Sequence, residues 1–368
     1  MDEPQMEISV NHAHLRRYPQ YLRACGFKSV QIMELDRYRG GGRGKKEDVQ
    51  DVLRTLAEAA HAEGLAVTMF IHGSNDGFHW ADPKTRPQRE ERYRELARRY
   101  GKVLDHIVTH WIDDGDEGGY QTPLEATAFL RREFHRYNPN VTATCDAWGN
   151  GALYAGIADE KYAPKDVGIA LERWYQPDQA KKVKAAGRRV GIWGWYIGDY
   201  EMNFASHLEG RILEKYFSAL PEQAAEDVDW LSLELCFHAM PSEINLFIAG
   251  QKMWTPKRPL KAIALDYCRS VYGPRNAEAM QLVYETVEEG QKDYKYYGMF
   301  IPTSDKLPPA LGTPEFKARA EKALGALKGV QIPEGWKPNF PVVGDPQEDI
   351  ESLRRSLEAF VQGKTPAF

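Results

Sequence analysis

Short apolar runs alternate with amphipathic stretches through the first two thirds of the chain, and this alternation most constrains what it can fold into. Eight runs have strand character: residues 6–10, 27–33, 65–71, 104–112, 141–145, 167–171, 190–195 and 230–236. Helical spacing occupies 15–24, 49–63, 89–100, 122–137, 179–186 and 208–220. Gly64 and Gly101 stand where a helix C-terminus is expected, and Pro123 falls in the first turn of its helix. Strands separated by helices pair in parallel through crossovers. Eight such units predict an α/β chain closed as a (β/α)8 TIM barrel. A dinucleotide-binding sheet is disfavoured, because the glycine-rich stretch 40–44 follows the second run and lacks both the GxGxxG spacing and a helix start.

From residue 242 the alternation stops. Helical patterns cover 244–253, 260–271 and 277–294, a Pro- and Gly-rich stretch spans 300–346 around a helical piece at 315–327, and a last helix covers 346–361. The pattern predicts a catalytic barrel over 1–241 and a C-terminal helical extension over 242–368 packing on it. No internal repeat or low-complexity tract is visible.

Composition narrows the class. With 42% hydrophobic and 27% charged residues the chain can build a core. No apolar run approaches the roughly 18 residues of a membrane span, and residues 1–25 show no signal-peptide core, so a cytoplasmic location is favoured. A net charge of −5 argues against a nucleic-acid or anionic-membrane partner. Cys25, Cys145, Cys236 and Cys268 form no CxxC pair and read as buried thiols. Nine Trp and 19 Tyr suit a cleft that binds sugar or other rings.

In a barrel of this type the active residues sit at the C-terminal ends of the strands. The second run leads to Glu34 and Asp36, and the third to His72. The fourth, which includes His110, leads to Asp113, Asp114, Asp116 and Glu117, and the fifth to Asp146 and Trp148. The sixth leads to Glu172, Trp174 and Tyr175, and the seventh to Trp193, Trp195, Tyr196, Asp199 and Glu201. The eighth leads to Glu234, His238, Glu243 and Asn245.

Four carboxylates within residues 113–117, with glycines beside them, are the strongest single feature. Crowded carboxylates repel, which keeps one protonated to higher pH and suits it to general-acid work. A solvated acidic loop or a helix N-terminus is the plainer reading, and a calcium loop a weaker one without EF-hand spacing. Because the cluster follows directly on an apolar strand, a catalytic role ranks first. Strand alternation puts Trp193 and Trp195 on one side, where an indole suits the apolar face of a sugar ring; Trp193 reads equally as core filling. His12 and His14 form an i, i+2 pair at the end of the first run, a spacing open to metal binding. No HExxH or complete HxH-plus-Asp set accompanies them, so neither a metal nor another cofactor is expected.

Asp116-Glu117, after a glycine at a strand end, resembles the Gly-Asp-Glu signature of glycoside hydrolase family 20. In that family the Asp positions and polarises a substrate 2-acetamido group and the Glu is the acid/base. Asp113-Asp114 resembles the Asp pair of family 84, which uses the same substrate-assisted chemistry. The order of elements, with residues 245–254 and 266–273, is similar to family-20-like and α-glucuronidase-like barrels in which a helical segment follows the last strand. Two positions depart from the family-20 pattern: the His that usually precedes the signature is displaced, at His110, and Asp114 stands where a Gly is usual.

The resemblance implies an exo-acting glycoside hydrolase that removes a terminal 2-acetamido-hexoside by substrate-assisted retaining catalysis. Glu117 would be the acid/base and Asp116 would orient the acetamido group, with Asp113 and Asp114 as the alternative dyad. Trp148, Trp174, Tyr175, Trp195 and Tyr196 would wall the sugar beside His72 and His238, and Asp146, Glu201 and Glu234 would hold hydroxyls. The expected partner is an oligosaccharide or glycoconjugate. One alternative is an α-glucuronidase-like or other glycosidase with two carboxylates from different strands, Glu117 with Glu201 or Glu234, and Arg173 or Arg37 for a uronate. Another is a non-catalytic carbohydrate-binding barrel.

Overall fold

The computed structural model describes residues 12–33, 46–72, 78–110, 121–146, 156, 160–172, 177–197, 208, 210–219, 229–235, 243–291 and 309–364. The chain divides into two compact units, one of residues 1–19, 28–195 and 220–233, the other of residues 20–27, 196–219 and 234–368.

The first unit is built on a sheet whose seven described strands pair in chain order. These are β1 (Ser29–Met33), β2 (Ala66–His72), β3 (His106–His110), β4 (Thr142–Asp146), β5 (Val167–Glu172), β6 (Val190–Ile197) and β7 (Trp230–Leu235). Every pairing from β1 through β6 is parallel. Helices α2 (Lys46–Ala62), α3 (Arg86–Tyr100), α4 (Gln121–His135) and α5 (Pro177–Ala185) intervene after β1, β2, β3 and β5. Sequential parallel strands with intervening helices are the α/β architecture of the (β/α)8 barrel. The strand expected at 6–10 lies outside the described residues.

Local chemistry sets the boundaries. Gly64, at φ +71°, ends α2 by turning its N–H onto His61 O at 2.9 Å. β3 begins later than the apolar run because Asp105 acts as a hinge to β2: its N–H bonds Val67 O at 2.9 Å and its carboxylate takes the Val67 N–H at 2.8 Å.

The two faces of the sheet differ in chemistry. Thr109 on β3 reaches Thr127 on α4, so the odd positions of β3 face the helices. Ile107, Ala143, Cys145, Val67, Met69 and Ile71 share that buried, largely apolar layer. The opposite face carries Thr68, Phe70, His106, His110, Thr142, Thr144 and Asp146, joined across strands by hydrogen bonds and a ring contact. Gly168 belongs to this face, where a Cβ would stand 3.1 Å from Thr144 Oγ1.

The second unit is helical. It contains the end of α1 (His12–Cys25), then α6 (Gly210–Ala219), α7 (Glu243–Trp254), α8 (Leu260–Tyr272), α9 (Ala277–Gln291), α10 (Pro314–Lys328) and α11 (Pro346–Val361). α7 is buried at every position from Glu243 through Gly250, the mark of a central helix. Its first residue, Glu243, accepts the backbone N–H groups of Val343 and Gly344, each at 3.1 Å, while its carbonyl takes the Tyr21 hydroxyl. Thr313 and Asp345 cap α10 and α11 by accepting the N–H groups of Phe316 and Gln347.

Gly250 lets α7 lie against the end of α1: a Cβ there would stand 2.2 Å from Cys25 O. Gly250→Ala is therefore expected to cost about 1–3 kcal/mol or more through overpacking. Gly325, exposed in α10 with nothing within 4 Å of its built Cβ, is the contrasting site. Gly325→Ala is expected to stabilise by about 0.5–1 kcal/mol through helix propensity. Urea unfolding of both variants checks the pair of signs.

Candidate active site

The C-terminal ends of β3 and β4 bring together a buried histidine and a buried carboxylate. His110 and Asp146 are each 2% exposed, and Nδ1 of His110 meets Oδ2 of Asp146 at 2.5 Å. Each is the last residue of its strand. Committing Nδ1 to the carboxylate confines the other polar function of the imidazole to Nε2. The Phe70 ring, at a centroid distance of 5.1 Å, flanks the imidazole.

A row of register partners extends the pair across the sheet. His72 pairs with His110 at the end of β2, Asp146 with Ala170, and Ala170 with Gly191. Two small residues thus follow Asp146 in this row, Gly191 being the second residue of β6. Two residues further along, Glu172 pairs in register with Trp193.

The segment 111–120, which carries the acidic cluster, joins two fixed points. His110 holds its start. At its other end α4 is tied to β3 through the Thr109–Thr127 contact of 2.5 Å. Glu125, one turn into α4, accepts the Trp80 indole N–H at 3.3 Å and Arg86 at 2.9 Å. Trp80 is 1% exposed, stacks on Tyr93 and meets Phe129 edge-on. Arg89 donates to Phe78 O at 2.8 Å, and His79 and Thr85 exchange hydrogen bonds of 3.0 and 3.1 Å. The return from β2 and the start of α4 are thereby anchored to each other.

At the opposite end of β3 the chemistry is closed. His106 places its ring nitrogens against the hydroxyls of Thr142 and Thr144, at 2.6 and 3.0 Å. Burial, with Arg189 adding in the same direction, pushes this imidazole down to about 3, so it is neutral at physiological pH. Burial pushes the Cys145 thiol up to about 12, which leaves it inert as a nucleophile.

Among the expected site residues, Asp146, His110, Glu243 and Asn245 have described side chains, and the last two lie in α7 of the second unit. His72 ends β2, Glu234 lies in β7, and Trp195 and Tyr196 lie in β6. Asp113, Asp114, Asp116, Glu117, Trp148, Trp174, Tyr175, Glu201 and His238 lie outside the described residues. Cys25, Cys145 and Cys268 are free and buried. His12 and His14 belong to α1 rather than to a strand end. Sequence reasoning does not find the partnership of His110 with Asp146. Its signal is that both residues end adjacent apolar runs, but the fourth run reads on to 112.

A cavity of about 440 Å³ lies within the second unit, lined in part by Ile244, Ile248 and Leu260. Of its charged lining side chains, Glu214 engages Lys252 and the Leu260 N–H, and Arg319 engages Glu285.

No protein-family model matches the chain, and no curated protein matches its sequence. Solved structures do match. An O-GlcNAc hydrolase mutant from Thermobaculum terrenum aligns at a TM-score of 0.53 and 13% identity over 95% of this chain and 78% of that one. The protein CpGH84B aligns at 0.58 and 10% identity, over 98% and 67%. A GH138 enzyme targeting pectin rhamnogalacturonan II aligns at 0.53 and 11% identity over 96% of this chain, which spans about half of that enzyme at 53%. What is shared is the fold.

Removing one member of the strand-end pair is expected to be costly. Asp146→Ala leaves the buried His110 without its acceptor and should lower the unfolding free energy by about 3–5 kcal/mol. Asp146→Asn keeps the shape and an acceptor oxygen and should lose less than half as much. Urea titration followed by tryptophan fluorescence measures both. An alanine variant as stable as the parent would show that the pair bears no structural weight.

Proposed function

We propose that the chain is a glycoside hydrolase that removes a terminal sugar, a 2-acetamido-hexoside, from an oligosaccharide or glycoconjugate. The observation that carries this reading is the position of residues 113–117. In the sequence four carboxylates follow within seven residues of His110, which ends β3 and meets Asp146, and barrels of this type hold their chemistry in the segments after the strands. The fold likeness to an O-GlcNAc hydrolase, to CpGH84B and to a pectin-targeting enzyme supports it. Glu117 serves as general acid/base, protonating the leaving oxygen. Asp116 orients the substrate acetamido group, whose oxygen attacks the anomeric carbon in place of an enzyme nucleophile. Asp113 with Asp114 is the alternative dyad for the same two roles. The family-20 and family-84 motifs divide between these dyads.

A second reading uses two carboxylates from different strands without help from the substrate. Glu117 with Glu201 or Glu234 is the pair this reading requires, and Glu172, at the end of a strand parallel to β3, is a further carboxylate at a strand end. In such a site the separation of the two carboxyl groups, about 5–5.5 Å or about 6.5–9.5 Å, sets retention or inversion.

The two readings separate on a panel of p-nitrophenyl glycosides that includes N-acetylglucosaminide, N-acetylgalactosaminide, glucuronide and plain hexosides. Turnover confined to the 2-acetamido sugars, with a loss of about 10²–10⁴-fold in kcat for Glu117→Gln, is the expected outcome. Turnover of a glucuronide or plain hexoside would sink the substrate-assisted mechanism. An unchanged rate in Glu117→Gln would move the acid/base role to Asp113 or Asp114.

A further inference from the structure

The first turn of α11 carries a carboxylate into the core of the second unit. Asp349 is 1% exposed. Tyr272, the last residue of α8, and Tyr284, in α9, both donate to its Oδ2, and their own hydroxyl oxygens lie 2.7 Å apart. Its Oδ1 is buried with no hydrogen-bond partner among the described residues. The carboxyl group is thus saturated on one oxygen and bare on the other. Ionised, it holds charge on a buried oxygen that nothing compensates; protonated, it holds none.

Among the described residues, nothing packed around it supplies a counter-charge. α8 contributes Tyr267, Cys268 and Tyr272, and α9 contributes Tyr284 and Glu285. Glu243 of α7 acts on Tyr267 in the same cluster. The inward residues of α10, Phe316, Ala320, Ala323 and Leu327, are uncharged, as are the buried Ser352 and Ser356 on α11 itself. The influences on the acidity of Asp349 are burial and the two phenol donors, with no cation among them.

We propose that Asp349 is a latch strengthened by acid, which binds α11 to α8 and α9 most tightly when its carboxyl is protonated and loosens when it ionises. Burial raises this carboxyl from 3.8 to about 6, although both phenols pull it down. Tyr272 and Tyr284 are themselves pushed well above the usual phenol range, first by burial and then by Asp349, so they remain donors throughout. The folded chain keeps the proton to a higher pH than the unfolded chain does. The stabilisation from the latch is therefore complete below about pH 4, falls as the pH rises through about 6, and is level above that.

Hydrogen–deuterium exchange of the full chain tests the latch, with exchange times scaled for the intrinsic rate at pH 5 and pH 7.5. Amides of α11 are expected to be about tenfold better protected at pH 5, one pH unit of linked protonation being tenfold in an equilibrium constant. The ratio should vanish in Asp349→Asn, which is neutral at both pH values. Tyr284→Phe removes one donor that lowers the carboxyl, so the midpoint of the fall should move to higher pH. Equal protection of α11 at the two pH values, a ratio that persists in Asp349→Asn, or an unmoved midpoint in Tyr284→Phe would each overturn the latch.

Discussion

Parallel pairing is the constraint on which the first unit depends. A parallel neighbour obliges the chain to return to the same edge before each new strand, so every strand leaves the sheet on one side. Residues remote in sequence thereby gather on one rim: His72, His110 and Asp146 end three consecutive strands. A sheet covered by helices must also be apolar on its helical face, and Val67, Met69, Ile71, Ile107, Ala143 and Cys145 meet that demand. Polar chemistry is left to the other face and to the rim.

Buried polar groups elsewhere are balanced by specific partners, and the manner of balance differs from site to site. Arg188, 3% exposed, donates to three carbonyls, those of Ala163, Pro164 and Val167, at 3.2, 2.8 and 3.0 Å. That fork joins the start of β6 to the entry of β5. Lys252, on the buried side of α7, divides its ammonium between Glu214 and Pro256 O. His106 gives each ring nitrogen a threonine hydroxyl. Asp349 differs from these three, since one of its oxygens has no partner among the described residues.

Elements defined by local periodicity were legible in the sequence. The pattern over 49–63 corresponds to Lys46–Ala62, and 346–361 corresponds to Pro346–Val361, because Gly64 and the Asp345-Pro346 pair are strong end signals. Strand ends were less legible. The apolar run over 104–112 begins before β3, which starts at His106 because Asp105 is spent on the backbone of Val67. Partnerships were not legible at all. His110 and Asp146 are 36 residues apart, and Asp349 lies 77 and 65 residues from its two tyrosines. No periodicity encodes the register between strands or the rotation of one helix against another. Residue type and strand-end position could therefore nominate Asp146 without naming its partner.

The two backbone amides that close on Glu243 give the segment before α11 a structural role of its own. Val343 and Gly344 cross the start of α7 a hundred residues downstream and neutralise a carboxylate the helix has already buried. Phe340, just before them, packs edge-on against both Tyr21 and Phe247. The helical unit thus cannot complete its own centre until the chain a hundred residues downstream of α7 has been synthesised. On the ribosome, α7 emerges with an acidic group and an aromatic face that wait for that later strap of chain.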